Sequence, residues 1–136
     1  MAKTEKRKKG DVGEGVAFSY LKKNGYKILD RNYSNRFGEI DIIALRKAQG
    51  KQTIVFVEVK TRRVEGDKIE GDDELYPERN VDWKKQGKLI RAAEYYLIEN
   101  KYPDDTSWQI DVIGVELDEE IRKANLRHIK NAVGGG

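Results

Sequence analysis

Asp41, Glu58 and Lys60 set the chemistry this sequence can offer: two carboxylates and an ammonium that strand periodicity brings toward one place. From Thr53 to Thr61 side chains alternate between faces, so Ile54, Phe56, Glu58 and Lys60 share one face while Val55, Val57, Val59 and Thr61 share the other. Both faces are apolar up to Glu58, which predicts a central strand covered on both sides whose exit carries two charges. A polar break at Gln49 and Gly50 separates this run from Glu39 to Leu45, a β-hairpin signal. Centred between Gln49 and Gly50, the hairpin puts Asp41 directly across from Glu58 on the face of Lys60. Carboxylates so opposed have Cβ atoms about 5 Å apart and destabilise the pair. A divalent cation between them would reverse that sign, and oxygen ligands without nearby His or Cys favour Mg²⁺ or Mn²⁺ over zinc. A one-residue slip would move Asp41 to the opposite face and leave only a Glu58–Lys60 surface ion pair, and spacing leaves both readings open.

A phosphodiester is the substrate class such a site suits. A metal polarises the phosphoryl oxygen and acidifies water, and a lysine ammonium beside it orients that water or neutralises developing charge. Other catalytic kits are missing. The chain has no Cys and a single His128, which excludes cysteine nucleophiles, Cys-based zinc sites and a paired-histidine zinc motif. Gly10 to Gly15 reads G-D-V-G-E-G, yet no strand precedes it, which argues against a dinucleotide-binding loop.

The elements that must position these residues follow an α/β order. Asp11 and Glu14 have capping-box spacing, and Val12, Val16, Ala17, Tyr20 and Leu21 recur at helical intervals, predicting a helix from Val12 to Lys23 that ends at Asn24-Gly25. Strands are expected at Tyr26 to Tyr33, Glu39 to Leu45 and Thr53 to Thr61. Asp82 can cap a second helix, with Gln86, Leu89, Ile90, Ala93, Tyr96 and Leu97 in phase, stopping near Asn100 before Pro103. Trp108 to Glu116 reads as a fourth strand and Leu126 to Lys130 as a short fifth. The order αβββαβ implies a single domain with a mixed β-sheet flanked by helices.

Charge is unevenly placed. Leu, Ile, Val and Phe make up 33 of the 136 residues, enough for a modest core despite 38% charged residues. The net charge of +3 combines eight acids against two bases between Glu65 and Asp82, a local −6, with +9 elsewhere. Residues 1–10 read as a basic flexible tail, 65–80 as an acidic mobile loop and 133–136 as a disordered glycine tail. Basic residues at Arg62, Arg63, Lys84, Lys85, Lys88 and Arg91 suit a polyanion such as nucleic acid; a plain solvated surface is the competing reading. No apolar run is long enough for a membrane span and no apolar stretch follows the basic N-terminus, so a cytoplasmic protein without membrane contact is expected.

Several motifs together carry a family resemblance. G-E-x-x-A at Gly13 to Ala17, G-Y-x-I-L at Gly25 to Leu29, R-N-Y at Arg31 to Tyr33, G-E-I-D at Gly38 to Asp41 and F-V-E-V-K-T-R at Phe56 to Arg62 stand in this order. With the pattern of Lys85, Leu89, Ala92, Ala93, Tyr96 and Leu97, the chain from Gly10 to Ala132 resembles the bacterial YraN family. That family is little characterised functionally and is placed with restriction-endonuclease-like, Holliday-junction-resolvase-like nucleases of the PD-(D/E)xK type. The resemblance implies a restriction-endonuclease-like core and a Mg²⁺-dependent endonuclease acting on branched or otherwise structured DNA. It implies metal ligation by Asp41, Glu58 and the Val59 main-chain carbonyl, with Lys60 as the motif lysine. Glu14 matches the acid that resolvase-like nucleases bring from the first helix, although completing a capping box with Asp11 would also explain it. Gln86 resembles a polar active-site residue of the second helix, although plain surface would also explain it. Two symmetric cuts would need two sites, so a resolvase-like role implies a homodimer.

Asp111 reads as an ordinary outward or paired residue rather than an outlying site carboxylate, and His128 as structural or solvent-facing. Tyr95 and Tyr96 with Trp83 could stack bases, but Tyr96 fits the core face and Trp83 sits at a helix start. Beyond Val64 the chain departs from the family pattern in a longer, more acidic connection next to the strand bearing Glu58 and Lys60, where it is expected near any bound nucleic acid. The rival reading is a nucleic-acid-binding or assembly protein that uses the same fold without cleavage.

Overall fold

The structure, a computed structural model, describes residues 5–65, 68–69 and 83–133. In chain order the elements are α1 (Glu5–Lys23), β1 (Lys27–Asn35), β2 (Gly38–Ala48), β3 (Lys51–Glu65), β4 (Lys68–Ile69), α2 (Trp83–Glu99), β5 (Ser107–Asp118) and β6 (Lys123–Val133). The strands form one sheet in the order β1-β2-β3-β5-β6, and the two-residue β4 pairs with the end of β3. β3 and β5 run parallel and the β1–β2, β2–β3 and β5–β6 pairs antiparallel, which makes the sheet mixed. This α/β architecture is compatible with a restriction-endonuclease-like core.

Strand alternation sorts the core into two layers. Ile54 and Phe56 of β3 pack with Leu89, Ala92, Ala93 and Tyr96 of α2. Val55 and Val57, on the other face, pack with Ala17 and Leu21 of α1 and with Ile113 and Val115 of β5. β3 is therefore the doubly covered centre that its unbroken apolar run predicts. Gln49 and Gly50 both have positive φ, 52° and 76°, as a two-residue type I′ turn requires, and the hairpin keeps the expected register from Ala48↔Lys51 to Ile42↔Val57.

Both helices end in the same way. After α1, Gly25 takes φ +86°, its N–H donates to the Lys22 carbonyl, and Tyr26 N–H reaches back to the Leu21 carbonyl at 3.0 Å. After α2, Lys101 takes the left-handed position, φ +58°, and Tyr102 N–H donates to the Leu97 carbonyl at 2.9 Å. α1 crosses β3 so closely that a Cβ on Gly13 would overlap the Thr61 side chain.

Two expectations are corrected. α1 begins at Glu5 rather than Val12, so it takes in residues 5–10 assigned to a tail, and Asp11 lies inside the helix rather than capping it. The short fifth strand is an eleven-residue partner of β5. Its polar sequence hides it, because an edge strand with a largely exposed face needs little apolar alternation. Most of the acidic segment and residues 134–136 lie outside the described residues. Among the described residues no helix is long and apolar enough to cross a membrane.

Candidate functional site

The β2–β3 ladder stops at Ile42↔Val57, one step short of Asp41 and Glu58, and the site forms where the two strands part. There the Asp41 carboxylate replaces a strand partner: its Oδ2 accepts the Val59 N–H at 2.7 Å. A cleft of about 320 Å³ opens at this point, lined by Gly38, Glu39 and Asp41 of β2, Glu58, Val59 and Lys60 of β3, and Lys85, Lys88 and Leu89 of α2. Three of its residues, Asp41, Glu58 and Lys60, are those the motif pairs in sequence.

Glu58 is buried, 5% exposed, and its charge is answered by two lysines. Lys85 Nζ lies 2.8 Å from Glu58 Oε1 and Lys60 Nζ 3.9 Å from the same oxygen. Burial and the facing Lys85 ammonium push the Lys60 ammonium below its usual range, against the pull of Glu58 and Asp41. Burial also opposes the Lys85 charge, but its bonds to Glu58 and Lys60 outweigh that and raise it. Asp41 is pushed up to about 7 by burial and by the Glu58 charge, with Glu14 adding to the rise, while the Val59 hydrogen bond and Lys85 oppose it.

Glu14 approaches from α1 and does not line the cleft. Its carboxyl is raised by burial and by Asp11, with smaller contributions from Glu58 and Glu39, while Arg31 opposes the rise. Its Oε1 is buried without a hydrogen-bond partner. Because Asp11 sits within α1 rather than at its start, the capping box is not the reason for Glu14. Gln86 is half-buried beside Lys85 and does not line the cleft.

The sequence profile of the uncharacterised protein family UPF0102 matches residues 13–115, which include Glu14, Asp41, Glu58, Lys60 and Gln86. A UPF0102 protein of Alkaliphilus oremlandii is 42% identical over 127 residues, covering 93% of this chain and 97% of that protein. One of Caldanaerobacter subterraneus subsp. tengcongensis is 39% identical over 133 residues, covering 97% of this chain and 99% of that protein. A third, of Clostridioides difficile, is 42% identical over 126 residues, covering 93% and 96%. This chain belongs to the UPF0102 family. It is the YraN family of the motif resemblance.

The basic residues of this UPF0102 protein do not form one surface. Arg62 is only 6% exposed and donates to Glu116 Oε1 at 2.8 Å, so it is a core ion pair rather than a phosphate contact. Alternation explains it: Arg62 follows Glu58 and Lys60 on their face and stands beside Glu116 in the parallel register of β5. Arg63, on the other face, meets Glu119 at 3.1 Å. Lys85 turns inward to Glu58, and Lys84 and Lys88 are exposed. The spacing of Lys85 four residues before the buried Leu89 is the signal that would have placed it on the inner face of α2.

Asp111 and His128 serve the core on the α1 side. Asp111 is fully buried and accepts from His128 Nε2 at 2.7 Å, Gln109 Nε2 at 2.8 Å and Asn131 N–H at 2.9 Å. His128 Nδ1 pairs with the Tyr20 hydroxyl at 2.9 Å, joining α1 to β6. Asn131, φ +51°, lies where the β5–β6 register slips, and Asp111 takes up the N–H that the slip leaves out of the ladder.

Proposed function

We propose that this chain is a divalent-cation-dependent nuclease that hydrolyses phosphodiester bonds in branched or otherwise structured DNA. The observation that carries the reading is the convergence of Asp41, Glu58 and Lys60 on one cleft, where burial and the charges of Glu58 and Glu14 push the Asp41 carboxyl up. Two carboxylates converge at the exit of this core strand, and the Glu58 charge raises Asp41; a divalent cation would remove that repulsion.

The donor set fits Mg²⁺ or Mn²⁺ in type: side-chain oxygens of Asp41 and Glu58, the main-chain carbonyl of Val59, and no sulfur or imidazole in the cleft. Glu14 Oε1, a buried acceptor without a hydrogen-bond partner, lies outside the cleft lining but near enough for its charge to raise Asp41. Among the described residues no three His, Cys, Asp or Glu side chains are gathered into a ready metal-binding group, and Glu58 holds Lys85 instead. A cation at Asp41 and Glu58 would polarise a phosphoryl oxygen and lower the pKa of water. The chain's own residues do the rest. Lys60, whose ammonium reaches the cleft beside Glu58, orients the attacking water and neutralises developing charge. Glu14 supports the carboxylate pair from α1, and Lys88 at the rim meets the incoming phosphate.

The test is incubation of purified protein with branched DNA and Mg²⁺ or Mn²⁺, followed by separation of strands. Cleavage is expected in the wild type and not in Asp41→Ala or Lys60→Ala. Cleavage that survives either substitution would falsify the assignment. One observation favours a second reading, a nucleic-acid-binding or assembly protein without cleavage: the 2.8 Å pair with Lys85 already answers the Glu58 charge. Salt-dependent DNA binding with no cut strands, and no Mn²⁺ uptake sensitive to Asp41→Ala, would select it.

A further inference from the structure

Beside the cleft, the turn between β1 and β2 builds a cationic aromatic surface that cleavage does not require. Asn35 fixes this turn. Its Oδ1 accepts the Phe37 N–H at 2.9 Å, and its Nδ2 donates to the Tyr33 hydroxyl at 2.9 Å and to the Ala92 carbonyl of α2 at 3.2 Å. So held, Phe37 packs on Tyr95 of α2 with ring centroids 5.6 Å apart. The exposed Arg36 sets its guanidinium 5.2 Å from the Phe37 centroid and 5.6 Å from that of Tyr95. Phe37 and Tyr95 are tilted by 59° to one another, so the stacking surface is the planar guanidinium of Arg36 held over both rings, a positively charged platform.

The platform continues into the cleft. Lys84, Lys88, Arg91 and Tyr95 recur at i, i+4, i+7 and i+11, which places them along one stripe of α2. Lys84, Lys88 and Arg91 are exposed, and Tyr95 is half-buried. Lys88 and Gly38 both line the cleft, so the stripe and the turn meet at its wall. From Lys84 to Tyr95 the stripe covers ~17 Å of helix axis, the length of about five stacked nucleotides. Among the described residues, the exposed carboxylates beside these cations are Glu39 at the cleft wall and Glu94 next to Tyr95 on α2.

The geometry points to this strip as the seat of an unpaired nucleic-acid strand entering the cleft: Lys84, Lys88 and Arg91 take its phosphates, and one unstacked base lies on the Arg36–Phe37–Tyr95 platform. The inference rests on reading the cleft as a phosphodiester site and adds the state of the substrate. Charge complementarity and continuity with the cleft select a polyanion. The platform favours an unpaired strand, because a guanidinium face can stack only on a base that has left the duplex.

The experiment is fluorescence anisotropy in chelator, so that binding is read without cleavage. The probes are a short single-stranded oligonucleotide and one of equal length and charge whose central nucleotides are abasic. Wild type is expected to bind the base-bearing strand about tenfold more tightly. Arg36→Ala and Tyr95→Leu should make the two affinities equal. Tyr95→Leu keeps an apolar neighbour for Phe37, and an unchanged melting temperature would show the fold intact. Lys88→Ala should weaken both probes alike and lower the salt slope by about one. Equal affinity of the wild type for the two probes overturns the inference, as does a base preference that survives Arg36→Ala and Tyr95→Leu. Binding to phosphatidylserine vesicles with none to either oligonucleotide overturns it too and reassigns the strip to a lipid surface. Cleavage of branched DNA without any base preference would sink this inference alone. Base preference in chelator with no cleavage in Mn²⁺ would sink only the nuclease reading.

Discussion

Lys85 Nζ of α2 stands 2.8 Å from Glu58 Oε1 of β3, and this contact fastens the second helix to the charged end of the central strand. A carboxylate only 5% exposed cannot be left without a partner cheaply. Lys85, with its side chain 42% exposed, is the partner that can leave. It supplies the positive charge that answers Glu58, and under the proposed function a divalent cation would compete for that place.

Lys85→Met should therefore destabilise the metal-free protein by about 1–3 kcal/mol, the cost of an unanswered buried charge discounted for the partly exposed partner. Urea unfolding in chelator at neutral pH checks it. The same variant should gain more melting temperature from saturating Mn²⁺ than the wild type does, because no ammonium then competes for Glu58. An equal gain in both proteins would show that Lys85 and the cation do not share a place.

Asp41 makes the site pH-dependent in a determined direction. Its carboxyl is raised from 3.8 to about 7 by burial and by Glu58, so the native state holds this proton more tightly than the unfolded chain. The stabilisation is fully present below about 3.8 and is lost as pH rises through about 7. Asp41→Asn keeps an acceptor for the Val59 N–H without the charge. It should be more stable than wild type at pH 8 by on the order of 2 kcal/mol, with the gap closing toward pH 4. Denaturant titrations in chelator at the two pH values measure it. A gap that widens as pH falls would contradict the burial of this charge.

How much of this was legible in the sequence depends on whether position or partner decides a residue's role. The convergence of Asp41, Glu58 and Lys60 on one cleft was legible because alternation and the Gln49-Gly50 turn fix register, although the ladder ends before the expected Asp41–Glu58 pair forms. The role of Arg62 was not, because burying an arginine requires Glu116, and the parallel alignment of β3 with β5 is made by a crossover no local pattern reveals. The polar β6 was underestimated for a related reason: its length comes from pairing with β5 rather than from its own side chains. The Arg36–Phe37–Tyr95 cluster joins a turn to a helix far along the chain, so neither segment announces it alone.

Asp111 should behave as a structural anchor. Burial opposes its charge, but bonds from His128, Asn131 and Gln109 outweigh it and lower the carboxyl below 3.8. A depressed folded value gives stability that is present above about 3.8 and is lost as pH falls through the native value. Asp111→Ala would leave three donors without an acceptor and should cost about 3 kcal/mol or more at neutral pH. Asp111→Asn should cost less and flatten the acid limb of the stability curve. Neither should alter the affinity for single-stranded DNA in chelator, since the cluster lies on the α1 side of the sheet. A change in affinity without a change in stability would give Asp111 a role in binding instead.

Gly13 tests whether the seat of α1 on the sheet controls the site. The helix passes over β3 with no room for a Cβ above Thr61, and the next residue is Glu14, whose charge raises Asp41. Gly13→Ala would gain helix propensity but force the helix away from the strand, so overpacking should dominate at about 1–3 kcal/mol of lost stability. Thr61→Ala removes the hydroxyl and methyl that the new Cβ would meet first. The double variant should therefore be more stable than the sum of the single effects allows, by roughly 1 kcal/mol in a double-mutant cycle. If α1 is what carries Glu14 to the carboxylates, Gly13→Ala should also lower the apparent pKa of Asp41, read by carboxyl NMR, and the double variant should restore it. Additive stabilities, or an Asp41 titration indifferent to Gly13, would show that the close approach has no part in shaping the site.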